Sequence, residues 1–250
     1  MMAKDKLHIV DRPEPGEEYK RAWLSTGMYL ESLFKRYNRY LKDEHTGFCW
    51  LRAEPVSPTF DSMNFRFKNQ VYSVLINLVS DGHSYLSKRQ KDTQIEVCNA
   101  NDMIPCLFTV SLEDMRPVEP GWNLRHTVTK AIVDPKKMST DAPRPVSEWE
   151  LANWGISFVK DDLEQKGYKV LSFTDAPGIF PQMWFEDSQG RRSWVQVVVN
   201  ESEKPPDYSD SPLENYPGYL ARVSLTPLGG DPVIFRSRPA DIEFEGLERI

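Results

Sequence analysis

The chain has 250 residues, of which 40% are hydrophobic and 27% charged, with a formal net charge of −6. That composition is ordinary for a globular protein and allows one large domain or two small ones. The negative balance works against broad attraction to nucleic acid or anionic lipid, and no apolar run reaches the length of a membrane span or a signal-peptide core, so a cytoplasmic protein off the membrane is expected.

Residues 1–16 are polar and proline-punctuated and read as a loosely held arm. A helix is expected from Glu17 to about Leu41, because Tyr19, Trp23, Leu30, Phe34, Tyr37 and Leu41 recur at steps that gather them on one stripe. Gly27 interrupts it and is expected to mark a close approach by a strand. Lys35, Arg36, Arg39 and Lys42 crowd its end, where the backbone dipole favours cations. Gly47 suits a helix stop, and a strand follows over Phe48 to Arg52. Met63–Lys68 and Gln70–Val79 then make a hairpin around Lys68-Asn69. Asp81–Lys91 reads as an exposed loop, and Ile95–Asn99 and Pro105–Val110 as two further strands.

Glu113 to Val146 carries Pro117, Pro120, Pro135, Pro143 and Pro145 and reads as a connection, with strand character at Thr127–Val133. Ser147 stands three residues before Glu150, the spacing of a capping box, and opens a second helix. Trp149, Ala152, Ile156, Val159 and Leu163 form its apolar stripe, and Gly167 ends it. A strand at Tyr168–Phe173 leads to a hairpin within Phe180–Asn200 that turns at Asp187-Ser188-Gln189-Gly190. Alternation puts Met183 and Phe185 on one face and Trp184 on the other, opposite Trp194. Glu201–Gly218 reads as an exposed loop, Leu220–Thr226 and Pro232–Arg236 as closing strands, and Ile242–Leu247 as a last short one.

Phe60, Met63 and Phe65 stand in the first hairpin as Phe180, Met183 and Phe185 stand in the second, and Ile104–Phe108 parallels Asp231–Phe235. The expected fold is therefore α+β: two similar helix-plus-antiparallel or mixed-sheet units in tandem. Residues 17–112 and 147–250 would be joined by the proline-rich 113–146.

Chemistry is harder to find. Cys49, Cys98 and Cys106 show no CxxC spacing, so neither a disulfide framework nor a zinc ribbon is indicated. His8, His45, His83 and His126 are scattered. Asp81-Gly82-His83-Ser84 has the components of a triad, yet neighbours in one polar loop do not converge on one centre. Leu228-Gly229-Gly230-Asp231 is a turn and not a phosphate loop, since no Gly-Lys-Ser/Thr follows. Cys106 lies in an apolar strand, where a thiol loses reactivity. No cofactor and no metal are called for.

The helix-then-three-strand order of the second half resembles the core of the PD-(D/E)XK nucleases. The resemblance implies a divalent metal held by an Asp on one strand and a Glu-x-Lys trio on the next. The matching positions hold Gln182, Gln196 and Val198, and in the first half Asp61 followed by Leu75-Ile76-Asn77. An enzyme of this kind would have to draw acids from Asp61, Glu54, Glu186 or Asp187. The same order also resembles type III secretion chaperones and the related YbjN-like proteins, which implies a module that docks polypeptides. Trp149, Trp154, Trp184 and Trp194 concentrate aromatic groups in the second half and are the candidate interface. The expectation is a non-enzymatic binding protein with a protein partner, of the immunity, adaptor, chaperone or regulatory kind. The alternative is a divergent metal-dependent nuclease.

Overall fold

The computed structural model describes residues 16–41, 46–53, 62–81, 83–176, 178–200 and 212–250. Its elements in chain order are α1 (Glu17–Asn38), β1 (Cys49–Arg52), β2 (Ser62–Phe67), β3 (Gln70–Ser80), β4 (His83–Ser84), α2 (Lys88–Ala100), β5 (Met103–Ser111), β6 (Leu124–His126) and α3 (Pro135–Met138). The second half adds α4 (Glu148–Gln165), β7 (Lys169–Phe173), β8 (Met183–Glu186), β9 (Arg192–Val199), β10 (Gly218–Pro227) and β11 (Ala240–Arg249). Helices and two separate sheets make an α+β protein.

The first sheet runs β1-β2-β3-β5-β6, with β4 folded back on the end of β3. Its pairings are antiparallel, antiparallel, parallel and antiparallel. The second sheet, β7-β8-β9-β10-β11, repeats that succession. Met63 lies opposite Val74 in the first hairpin, and Met183 opposite Val195 in the second. Trp184 faces Trp194. The turn at Lys68-Asn69 is where the sequence puts it, with Lys68 at φ 52°.

Alternation along β3 sorts the first core. Tyr72, Val74, Ile76 and Leu78 face α1 and meet Ala22, Trp23, Leu30 and Phe34. Val71 and Leu75 point to the opposite side, towards Cys98 and Leu86. The densest aromatic packing lies here: Phe48 stacks on Phe34 at 5.0 Å and on Phe67 at 3.9 Å, and Trp122 stacks on Tyr37 at 5.3 Å. Sequence reading had placed that concentration in the second half.

Several expectations change. Ile95–Asn99 is not a strand, and the loop expected over Asp81–Lys91 ends at Ser87; Lys88–Ala100 is one helix, opened by a Ser87–Gln90 capping box. The parallel pairing of β3 with β5 demands such a crossover. Only Gln94 and Cys98 of α2 are buried, so it shows little apolar stripe. Gln94 stitches it to the sheet by donating to the Ser73 carbonyl at 2.8 Å and the Cys106 carbonyl at 3.1 Å, while accepting from Thr127 Oγ1 at 2.7 Å. The first sheet extends past residue 112, because β6 pairs with β5, and Thr127–Val133 contributes only the bridge from Arg125 to Ile132. Pro232–Arg236 is no strand but a loop touching Pro145 through Phe235, so the counterpart of β5 is β10 and not 231–235. The last strand is longer than expected, ten residues. Gly27 meets only Met63 Cε at 3.5 Å, an ordinary contact. The close approach is at Gly155 of α4, where a Cβ would lie 2.6 Å from Val199 Cγ2.

The two units meet over a buried polar clasp. Arg236, from the loop before β11, is fully buried and grips Glu150 of α4, with Nη2 at 2.7 Å and Nε at 3.0 and 2.9 Å. Its remaining donors reach the first unit: the carbonyls of Asn101 at 3.0 Å and Asp102 at 3.2 Å, and the Asp102 carboxylate at 3.2 Å. A second buried ion pair joins Arg52 of β1 to Asp175 after β7. Arg52 also donates to Ser62, and Asn153 of α4 donates to Asp175 at 2.9 Å. With this number of hydrogen bonds the charges are compensated, and removing one partner would strand the other in a dry site.

Candidate binding surface

Two of the four candidate tryptophans serve the interior. Trp149, at the start of α4, inserts among Val71, Cys98 and Met103 of the first unit, and its backbone N–H donates to Asn101 Oδ1 at 3.2 Å. The Arg52 guanidinium lies 5.9 Å from its ring centroid. Trp194 is buried in the second sheet and donates from Nε1 to the Leu213 carbonyl at 3.2 Å. Trp154 is half-buried against the second core. Trp184 is half-buried and meets Tyr216 edge to face, ring centroids 5.2 Å apart. Tyr216 is 42% exposed, so this pair opens to solvent on the sheet face away from α4. Sequence reading missed Tyr216, which sits in a polar stretch next to Pro217-Gly218 with no pattern around it.

The two described acids of the alternative reading, Glu186 and Asp187, each face an arginine. Asp61 and Glu54 lie outside the described residues. Glu186 is 3.8 Å from Arg192 Nε. Asp187 closes the β8–β9 turn, accepting from the N–H of Gln189 at 2.8 Å and of Arg191 at 3.0 Å and from Arg191 Nε at 2.7 Å. The Arg191 backbone N–H, followed by its side chain, holds the Asp187 carboxyl below the usual aspartate range. Among the described residues no three His, Cys, Asp or Glu side chains gather closely enough to hold a metal. Gln182 has a structural task instead, its Oε1 accepting from the Val197 N–H at 3.0 Å.

Nucleophilic chemistry fares no better at the thiols. Burial pushes the Cys98 thiol up to about 12 and the Cys106 thiol well above its ordinary value, so both stay protonated at neutral pH. His83 and Ser84 are exposed in β4, and Ser84 Oγ donates to Asn77 Oδ1 at 2.5 Å without approaching a base.

The second unit carries two further surface features. A cleft of about 550 Å³ lies where α4 ends, bounded by Tyr168, Phe185, Ser193, Tyr219 and the Asp187–Arg191 pair. Its aromatic rings pack on one another, Tyr168 against Phe185 at 5.1 Å and Phe185 against Tyr219 at 5.9 Å. Along the edge of the sheet, β11 alternates exposed Asp241, Glu243 and Glu245 with half-buried Ile242 and Phe244. Phe158 of α4 meets Phe244 edge to face at 6.1 Å, giving an apolar seam beside that strand.

No helix among the described residues is long and apolar enough to cross a membrane. No curated protein and no solved structure matches the chain. A family model described as a domain of unknown function, DUF8840, matches residues 149–250, a segment that starts inside α4 and takes in the whole second sheet.

Proposed function

We propose that this chain is a non-enzymatic binding protein of the cytoplasm, built from two copies of one helix-plus-sheet unit, which docks a protein partner. The observation that carries the reading is the Trp184–Tyr216 pair, a half-open edge-to-face aromatic contact. Tryptophan and tyrosine supply large contact area at low conformational cost, and they dominate the energetics of protein interfaces. The buried clasp supports a composite surface, since it ties the two sheets together through Arg236 and the Arg52–Asp175 pair. The shared succession of pairings and the matched Met63 and Met183 support a duplication. Free thiols at Cys49, Cys98 and Cys106 fit a reducing compartment. The role would be of the immunity, adaptor, chaperone or regulatory kind.

The test is affinity capture with quantitative mass spectrometry, comparing the wild-type chain with Trp184→Ala/Tyr216→Ala. A protein retained by the first and lost by the second supports the reading. The same preparations are incubated with single- and double-stranded DNA and RNA in Mg²⁺ and in Mn²⁺. Cleavage that disappears in Asp61→Ala or Glu186→Ala would replace it with the divergent nuclease.

A further inference from the structure

The second sheet ends in β11, and among the described residues no strand pairs with its outer side. An edge of this kind leaves alternate backbone N–H and C=O groups without strand partners, a template for one more strand. Its first five residues, 240–244, run regularly against β10, with Asp241 opposite Thr226, Glu243 opposite Ser224 and Phe244 opposite Val223. The strand is then interrupted by a register shift near Gly246, which has φ 109°. The usable edge is therefore 240–244, with Glu245 at its end where the irregularity begins.

The two faces of that stretch differ sharply. On the α4 side Ile242 and Phe244 are half-buried, and Phe158 is 38% exposed beside them. On the other side Asp241, Glu243 and Glu245 form an exposed ladder at every second residue. The neighbouring strand sets Thr226 and Ser224 opposite Asp241 and Glu243, its Arg222 reaches Glu248 instead, and none of the three has a cationic partner among the described residues. A second copy of β11 in antiparallel pairing would set carboxylate against carboxylate, which is destabilising. A strand carrying Lys or Arg at alternate positions would place cations beside the ladder and apolar residues over the Phe158–Phe244 seam.

We propose that the outer edge of β11 at residues 240–244 accepts an extended polypeptide segment of alternating basic and apolar residues, added as a sixth strand to the second sheet. The proposal rests on the protein-binding reading and names the chemistry of a partner segment. Main-chain hydrogen bonds supply attachment, the acidic ladder supplies register and selectivity, and the seam supplies apolar contact. The acidic ladder serves two ends: it repels its own kind and receives the opposite charge.

The experiment titrates the full chain with three ten-residue peptides: alternating Lys and Val, alternating Glu and Val, and five Lys followed by five Val. Affinity is read by calorimetry, and amide hydrogen exchange locates the contact. The alternating Lys peptide is expected to bind about tenfold tighter than either control, the gain of a few cross-strand ion pairs, and to slow exchange at 240–244. In Asp241→Lys/Glu243→Lys/Glu245→Lys the preference is expected to switch to the Glu peptide, a gain that misfolding cannot imitate. Equal binding of the five-and-five peptide, an unchanged preference in the reversed variant, or slowed exchange elsewhere overturns the proposal. Protection of 240–244 that rises with protein concentration alone also overturns it, in favour of a second copy. If capture through Trp184 and Tyr216 succeeds while no peptide preference appears, only the edge proposal falls. If the peptide binds as expected but capture fails, the edge stands and the Trp184 surface falls.

Discussion

The two sheets share one succession of pairings but are covered differently, and the difference shows where each unit keeps its stability. The first sheet is sandwiched, with α1 on one side and α2 on the other, and its core is an aromatic mass around Phe34, Phe48, Phe65 and Trp122. The second has α4 on one side, and its core is mostly aliphatic, with Ile156, Val159, Leu163, Val195, Val197 and Val223 around the single buried ring of Phe185. On its other side the described residues supply only a short 3₁₀ turn, Pro212–Asn215, where the first unit has a 13-residue helix. Buried charges compensate at the seam, because Trp149, Glu150, Asp175 and Arg236 of the second unit are all completed by groups of the first or by each other. Of the buried charges gathered there, Arg52 belongs to the first unit, and Glu150, Asp175 and Arg236 to the second.

That asymmetry breaks most readily at Arg236. Arg236→Ala removes the partner of a carboxylate with no exposure, so Glu150 is left as an uncompensated charge. The expected cost is about 3–5 kcal/mol, read as a lowered urea midpoint. Hydrogen exchange should rise in α4 and also around Asn101 and Asp102, which Arg236 holds from across the seam. Loss of protection confined to residues 148–250 would show that the units are stable independently and would refute the clasp.

The helix glycines sharpen the same contrast at smaller scale, since each long helix has one. Gly155→Ala must push Val199 aside where α4 sits close on β9, and overpacking of this kind costs about 1–3 kcal/mol. Gly27→Ala meets only the flexible end of Met63, so the helix propensity of alanine prevails and stability should rise by about 0.5–1 kcal/mol. Opposite signs in paired denaturation curves are the expected outcome. Destabilisation by both would mean that α1 packs as tightly on its sheet as α4 does.

Much of this fold was legible because its signals are local. Strand alternation gave both hairpins, with Met183 and Phe185 inside and Trp184 opposite Trp194. Ser147 and Glu150 marked a helix start that the structure bears out, their hydrogen bonds 3.3 and 3.0 Å long. The helix α2 escaped because a crossover packed through Gln94 and Cys98 leaves almost no apolar period to read. Gly27 and Gly155 look alike in sequence, and only the distance to the facing strand tells them apart. The clasp was invisible for a different reason. Arg236 and Glu150 are far apart in the chain, in a loop and at a helix start where both residue types are commonly exposed, and no spacing links them. The same non-locality hid the contact of Tyr216 with Trp184 and moved Trp149 from candidate interface to interior.

The smallest expected effect is at Asp187, which sequence reading offered as a metal ligand and which the fold uses to close a turn. Arg191 occupies the carboxylate twice, by its backbone N–H and by its guanidinium, and Gln189 adds a third donor. These bonds favour the ionised form, so the folded pKa lies below the unfolded one. Stability from this group is therefore fully present above the unfolded value and is lost as the pH falls through the folded one. Carbon-detected titration of the Asp187 carboxyl should give a midpoint below that of an unstructured aspartate. Arg191→Ala should raise the midpoint only part of the way back, because the backbone donor at position 191, the larger cause, remains. A full return would assign the shift to the guanidinium alone. A midpoint unmoved by Arg191→Ala would assign it to the turn backbone, and in either event the carboxylate answers to its own hairpin.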